Sequence, residues 1–169
     1  MTIVQNNTPS STNFWLERRT IVAYAVSLLA LAEIIDLTIV SVAVPHIMGS
    51  LNANLSEVSL TMTSYIVAAA VCIPLTGLVT RKFGTKRVIL ASAVIFMISS
   101  ILCGISSSLT EMVIFRLMQG VGGAFLPSIA QSYISRNFTQ EEQPKVMTAY
   151  SLCVVMGPVL GPILGGILS

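Results

Sequence analysis

The chain has 169 residues, of which 54% are apolar and only 9% charged, and its formal net charge is +2. An ordinary soluble domain is roughly 25% charged, so a chain this poor in charge cannot cover a water-facing surface and its solvent is largely lipid. The basic residues sit in short clusters between apolar runs rather than on one face, which removes any nucleic-acid reading of the positive charge.

Residues 1–19 read as a polar, cytoplasmic tail, with Phe14 and Trp15 placed at the headgroup level. Arg18-Arg19 before an apolar run imitates a signal peptide. The run is broken by Glu33 and Asp36 and lacks a clear small-residue cleavage site, so it reads as a retained first membrane span. Charge-poor runs then predict five spans at about 20–49, 57–80, 86–107, 110–135 and 141–169. Each is long enough for the roughly 20 residues that cross a bilayer core. Backbone groups in lipid must be satisfied within the segment, so all five are predicted as helices and the fold class as an all-α membrane protein.

Helix starts support this division. Ser108 to Glu111 and Thr139 to Glu142 both fit a capping box, and Ser56 beside Glu57 is the expected cap of the second span. The gaps are short, so consecutive helices are expected to be antiparallel neighbours. Arg18 and Arg19 precede the first span; Arg81, Lys82, Lys86 and Arg87 cluster where the second gives way to the third; Arg136 lies between the fourth and fifth, with Lys145 at the start of the fifth. The gaps at 50–57 and 106–111 carry no Lys or Arg, so the positive-inside rule puts the N-terminus in the cytoplasm.

Away from the span ends, three charged residues remain inside the membrane: Glu33, Asp36 and Arg116. Each costs about 2.5–3.5 kcal/mol at the centre of a span, and such groups face a partner or water. Glu33 and Asp36 are three residues apart and share a helix face. At 1.5 Å per residue Asp36 lies about 24 Å from the inner end of the first span and Arg116 about 9 Å below the outer start of the fourth. The depths are comparable, so an ion pair across the bundle is expected. Two readings stay open: a structural salt bridge, or a proton-titratable site in a water-filled cavity. Low dielectric favours the neutral form of a carboxyl group and a nearby guanidinium the charged form, so the balance can be tipped.

His46, after Pro45 near the outer end of the first span, reads as interfacial. Cys72, Cys103 and Cys153 fall inside apolar runs without metal-ligand spacing and read as small core hydrophobes, not as a disulfide framework. The stretch GPVLGPILGG, residues 157–166, places Gly157, Gly161 and Gly165 at intervals of four, with Pro158 and Pro162 in step and Gly166 adjacent. Small residues at that spacing let membrane helices approach closely, and each proline removes a backbone hydrogen bond. A kinked helix with one nearly continuous face free of bulky side chains is therefore expected, and ordinary close packing is enough to account for it.

Four stretches resemble the major facilitator superfamily in its fourteen-helix drug/proton antiporter branch. They are Ile35 to Pro45 on the first span; Gly77 to Arg87, with Gly77, Gly84, Lys86 and Arg87 in the loop after the second; Phe115 to Gly123 on the fourth, with Arg116, Gln119 and Gly120; and the glycine-proline stretch of the fifth. The resemblance covers about residues 20–169. It implies a proton-coupled exporter of small-molecule drugs or lipophilic compounds in the bacterial inner membrane. In it Asp36 would be the coupling or substrate carboxylate, Arg116 would assist proton handling, and the fifth-span stretch would seal or hinge two halves. Arg81 stands where the loop pattern usually has aspartate. Glu33 is proposed from its position alone.

Transporters of that superfamily have two six-helix halves, so this chain is expected to supply most of the first half and to need the missing helices, encoded separately or further along. The alternative is a non-transporting membrane remnant or interaction partner. No Ser/His/Asp set, phosphate-binding loop or metal cluster is evident in the sequence. Gly120 to Gly123 is glycine-rich but follows no strand, so no enzyme, cofactor, metal or nucleic-acid partner is expected.

Overall fold

The computed structural model describes residues 18–168. The predicted tail and the interfacial roles of Phe14 and Trp15 lie outside the described residues. Helix α1 spans Arg18–Leu51, α2 Leu55–Cys72, α3 Thr76–Phe83, α4 Thr85–Gly104, α5 Leu109–Asn137 and α6 Gln143–Leu168, with a short 3-10 turn at Ile73–Leu75 joining α2 to α3. The first span is thus α1, the second α2 with α3, and the third, fourth and fifth are α4, α5 and α6. All five are long and apolar enough to cross a membrane. Among the described residues there is no strand.

Local chemistry sets the ends. α1 stops where Asn52 takes a left-handed φ of 53°, and the Ala53 amide reaches back to the Met48 carbonyl at 3.1 Å, the pattern of a Schellman cap. Asn54, not Ser56, caps α2. Its Oδ1 accepts from the Glu57 amide at 3.0 Å while its own amide donates to Glu57 Oε2 at 2.9 Å. A reciprocal cap needs its two residues three apart, which Ser56 and Glu57 are not. Ser108 Oγ accepts from the Glu111 amide, but the Glu111 carboxylate takes the amide of Ser107 rather than that of Ser108.

Pro74 lies in the 3-10 turn of the second span. Lacking an N–H, it cannot continue the α-helical ladder there, and the backbone tightens. The loop expected between the second and third spans shrinks to Gly84, whose φ of 84° both ends α3 and precedes α4.

Packing departs from the expected order. Of the consecutive spans, only the third and fourth pack along their length; otherwise the first packs on the fifth and the second on the fourth. The fourth span is central, touching the first as well. Its glycines make this geometry. A Cβ on Gly120 would lie 2.5 Å from the Tyr65 carbonyl oxygen, and one on Gly122 would lie 2.8 Å from the Phe96 nitrogen. The glycine-rich run therefore lets the second and third spans approach the fourth at backbone distance.

Gly157, Gly161 and Gly165 are buried, and Cβ atoms there would meet Ile34, Thr38 and Val42 of the first span. Pro158, Pro162 and Gly166 are exposed, and Gly166 has nothing within 4 Å of such an atom. The smooth face is accordingly glycine alone: a residue next in sequence sits about 100° further round the helix, which carries the prolines off the contact.

Two apolar clusters hold the bundle. One joins Ala23, Val26 and Ala30 to Ile134, Phe138 and Val146. The other joins Val40, Ile47, Val58 and Met112. On α1 they flank residues 33–36, and on α5 residues 116–119, so the polar groups lie between two dry layers. Large apolar side chains such as Ile66, Val71, Val94 and Met97 are exposed on the outside, as a lipid-facing surface requires.

Candidate functional site

Asp36, on α1, and Arg116, on α5, meet between the two apolar clusters. Arg116 Nη1 donates to Asp36 Oδ2 at 2.8 Å and to Gln119 Oε1 at 2.8 Å. Gln119 is one helical turn beyond Arg116, so the fourth span supplies both the cation and a neutral acceptor on one face. Ser100 of α4 donates to Asp36 Oδ1 at 3.1 Å, and the Cys103 thiol lies 3.8 Å from Gln119 Oε1. The Arg116 side chain is 3% exposed and that of Asp36 18%. The pair is thus deeply shielded on the cationic side and more open on the acidic side.

Glu33 takes no part in that pair. Its Oε1 accepts from the Tyr65 hydroxyl of α2 at 2.7 Å. A Cβ on Gly123 would lie 2.6 Å from the same hydroxyl, so this glycine makes room for the Tyr65–Glu33 contact. Two carboxylates on one face of α1 therefore have different partners, one a guanidinium and the other a phenol. Tyr65, Ser100 and Cys103 were not anticipated as members of the cluster.

Hydrogen-bonding capacity is left over. Glu33 Oε2, Arg116 Nε and Gln119 Nε2 are buried without a partner. A buried polar atom left unpaired costs about 1–3 kcal/mol. A cavity of about 130 Å3 adjoins Tyr65 and Arg116, walled by Leu37, Val40, Met62 and Ile66. The site therefore has space beside it and unused donors and acceptors within it, while the four helices around it are otherwise tightly packed.

The other residues marked in the sequence lie elsewhere. Gly77 and Lys86 line a larger cleft at the end that carries the basic residues. Gly84 forms the turn described above, and Arg81 and Arg87 are exposed. His46 is exposed near the opposite end. The three cysteines are free and partly buried.

A family model described as the Major Facilitator Superfamily matches residues 26–169. The chain belongs to that superfamily. It is 39% identical over 146 residues to the multidrug export protein EmrB of Haemophilus influenzae, covering 86% of this chain and 28% of that protein. It is 37% identical over 149 residues to EmrB of Escherichia coli, covering 88% and 29%. It is 38% identical over 149 residues to the fatty acid resistance protein FarB of Neisseria gonorrhoeae, again covering 88% and 29%. The chain thus spans less than a third of the length of these relatives. Membership of the superfamily and five apolar helices make it an integral membrane protein. In this member of the superfamily Gly157, Gly161 and Gly165 of the fifth span lie against the first span of the same bundle.

Proposed function

We propose that this chain forms most of the first half of a proton-coupled multidrug efflux transporter, a drug/proton antiporter of the bacterial inner membrane with its N-terminus in the cytoplasm. The relatives named for multidrug export support the substrate class. Lys and Arg concentrated at alternate helix connections support the orientation. Transport would engage further helices, carried on the same polypeptide or on another chain, because alternating access needs a second bundle for the first to move against.

The observation that carries the reading is the buried Arg116–Asp36 pair with its unsatisfied neighbours. Asp36 is the proton- or substrate-responsive carboxylate. When it is charged, Arg116 and Ser100 hold it; when it takes up a proton, the Arg116 guanidinium loses its counter-charge and is left to Gln119. An ion pair that breaks on protonation loosens the contact between the first and fourth spans, which gives a proton leverage over helix packing. Glu33 is a second acid one turn away, held by Tyr65. The glycine stripe of the fifth span provides a smooth surface on which the first span can slide.

The test is to express the chain with a supplied second half and measure drug susceptibility together with dye efflux in energised vesicles. Efflux driven by a proton gradient, lost in Asp36→Asn while membrane insertion is retained, is the expected result. Gradient-driven efflux that survives Asp36→Asn overturns the assignment of the carboxylate.

A further inference from the structure

At the end of the bundle that carries the basic residues lies a cleft of about 730 Å3, within the roughly 300–1,000 Å3 of small-molecule sites. It is lined by α1, α3, α4 and α5, and neither Asp36 nor Arg116 takes part. Arg18, Lys86 and Arg136 line it, and no Asp or Glu does. These cations stand in the first turn of α1, the first turn of α4 and the last turn of α5, so they mark its mouth. Among the described residues none of the three belongs to an ion pair.

Away from the mouth the lining is mostly apolar. Val22 and Leu29 of α1 and Ile89 and Leu90 of α4 line it, beside Ser128 and Ser132 of α5. From Arg18 to Leu29 the helix rises about 16 Å. Thr76 also lines the cleft, and its hydroxyl is buried without a hydrogen-bond partner.

Water alone would hydrate the cations but leave the apolar walls wet, and a free inorganic anion would neutralise the mouth but not fill the depth. One molecule satisfies both if it has an anionic head and an apolar tail. A bilayer supplies such molecules next to the protein, and basic pockets between membrane helices attract anionic headgroups.

We propose that this cleft binds one anionic phospholipid from the adjoining leaflet, with its phosphate among Arg18, Lys86 and Arg136 and an acyl chain between α1 and α4. This goes beyond the transport reading and does not rest on it. A lipid seated here would tie α1 to α4, two helices that belong to different packed pairs.

The experiment is native mass spectrometry of the purified chain in detergent. Phosphatidylglycerol would be titrated in, with phosphatidylcholine and inorganic phosphate as comparison probes. One tightly held phosphatidylglycerol is expected, with phosphatidylcholine bound more weakly and inorganic phosphate not retained. Replacing the three cleft cations together (Arg18→Gln, Lys86→Gln, Arg136→Gln) should weaken that adduct by roughly tenfold or more. Replacing three cations outside the cleft (Arg81→Gln, Lys82→Gln, Lys145→Gln) should leave it in place. Leu90→Trp fills the cleft with every charge kept, and should also expel the lipid. Equal weakening by both triple variants, equal binding of phosphatidylcholine, or an adduct undisturbed by Leu90→Trp overturns the proposal; the last would mean that the cleft is not the lipid's seat. No substrate or proton gradient enters the measurement, so failure here leaves the transport reading untouched.

Discussion

Arg116 and Asp36, 80 residues apart in sequence, are joined by a 2.8 Å ion pair between the first and fourth spans. Removing one partner of a buried pair leaves an uncompensated charge and costs about 3–5 kcal/mol. Arg116→Ala should destabilise the folded bundle by about that amount. Asp36→Asn combined with Arg116→Gln should cost less than the two single changes added together. Reversible unfolding in mixed micelles checks this, and additive effects would show that the pair is not coupled.

Tyr65 is the hydrogen-bond donor to Glu33 Oε1. Tyr65→Phe leaves both carboxylate oxygens of Glu33 without a partner and should cost about 1–3 kcal/mol. Gly123→Ala pushes a methyl group against the same hydroxyl, so it should be less damaging in the Tyr65→Phe background than alone. Measuring the two single variants and the double one decides whether they share a contact.

A methyl group on Gly161 would meet the Thr38 side chain, with Thr38 Cβ only 2.5 Å away. Gly161→Ala should therefore cost about 1–3 kcal/mol from overpacking. Gly166 has open space around it, and Gly166→Ala should stabilise the helix by up to about 1 kcal/mol through propensity alone. Cysteines placed at 38 and 161 should cross-link, and a pair at 38 and 166 should not.

Much of the site was legible in the sequence because a charge inside an apolar run is conspicuous and helix rise converts residue number into depth. That logic placed Asp36 and Arg116 at one level. It had no purchase on Tyr65 or Ser100, which are uncharged and sit among other hydroxyl residues of the same spans. The regular spacing of Gly157, Gly161 and Gly165 announced a close approach without naming the partner, since nothing in the residue types of Ile34, Thr38 and Val42 ties them to the fifth span rather than to another. Short connections suggested that neighbours in sequence are neighbours in space. They did not foresee that the first span packs on the fifth, because loop length limits the reach between successive helices but not which faces are complementary.

Arg19 binds Glu142 through two hydrogen bonds, of 2.8 and 3.1 Å, and also reaches the Asn137 carbonyl at 3.2 Å. Its guanidinium lies over the Phe138 ring, 5.2 Å from the centroid. The Thr139 amide, followed by the Thr139 hydroxyl and Arg19, holds the Glu142 carboxyl below its ordinary value of 4.5. The native state thus binds this proton less readily than the unfolded chain does. The contribution is complete above the unfolded value and is lost as pH falls through the native one. Unfolding measured from neutral pH down past 4.5 should show this loss, and Glu142→Gln should remove that part of the profile. The effect should be small, since exposed ion pairs contribute about 0–1 kcal/mol.

The central position of the fourth span has a consequence for biosynthesis. Half of its most apolar stretch is buried, against 22–28% in the other spans, and among the described residues it bears the one buried Lys or Arg, Arg116. The glycines and polar side chains that suit it to contact three neighbours suit it poorly to acyl chains. A nascent chain releasing this segment alone into the bilayer would expose an arginine to hydrocarbon, so its passage out of the translocation channel is favoured when the first span, already inserted, offers Asp36 as a waiting counter-ion.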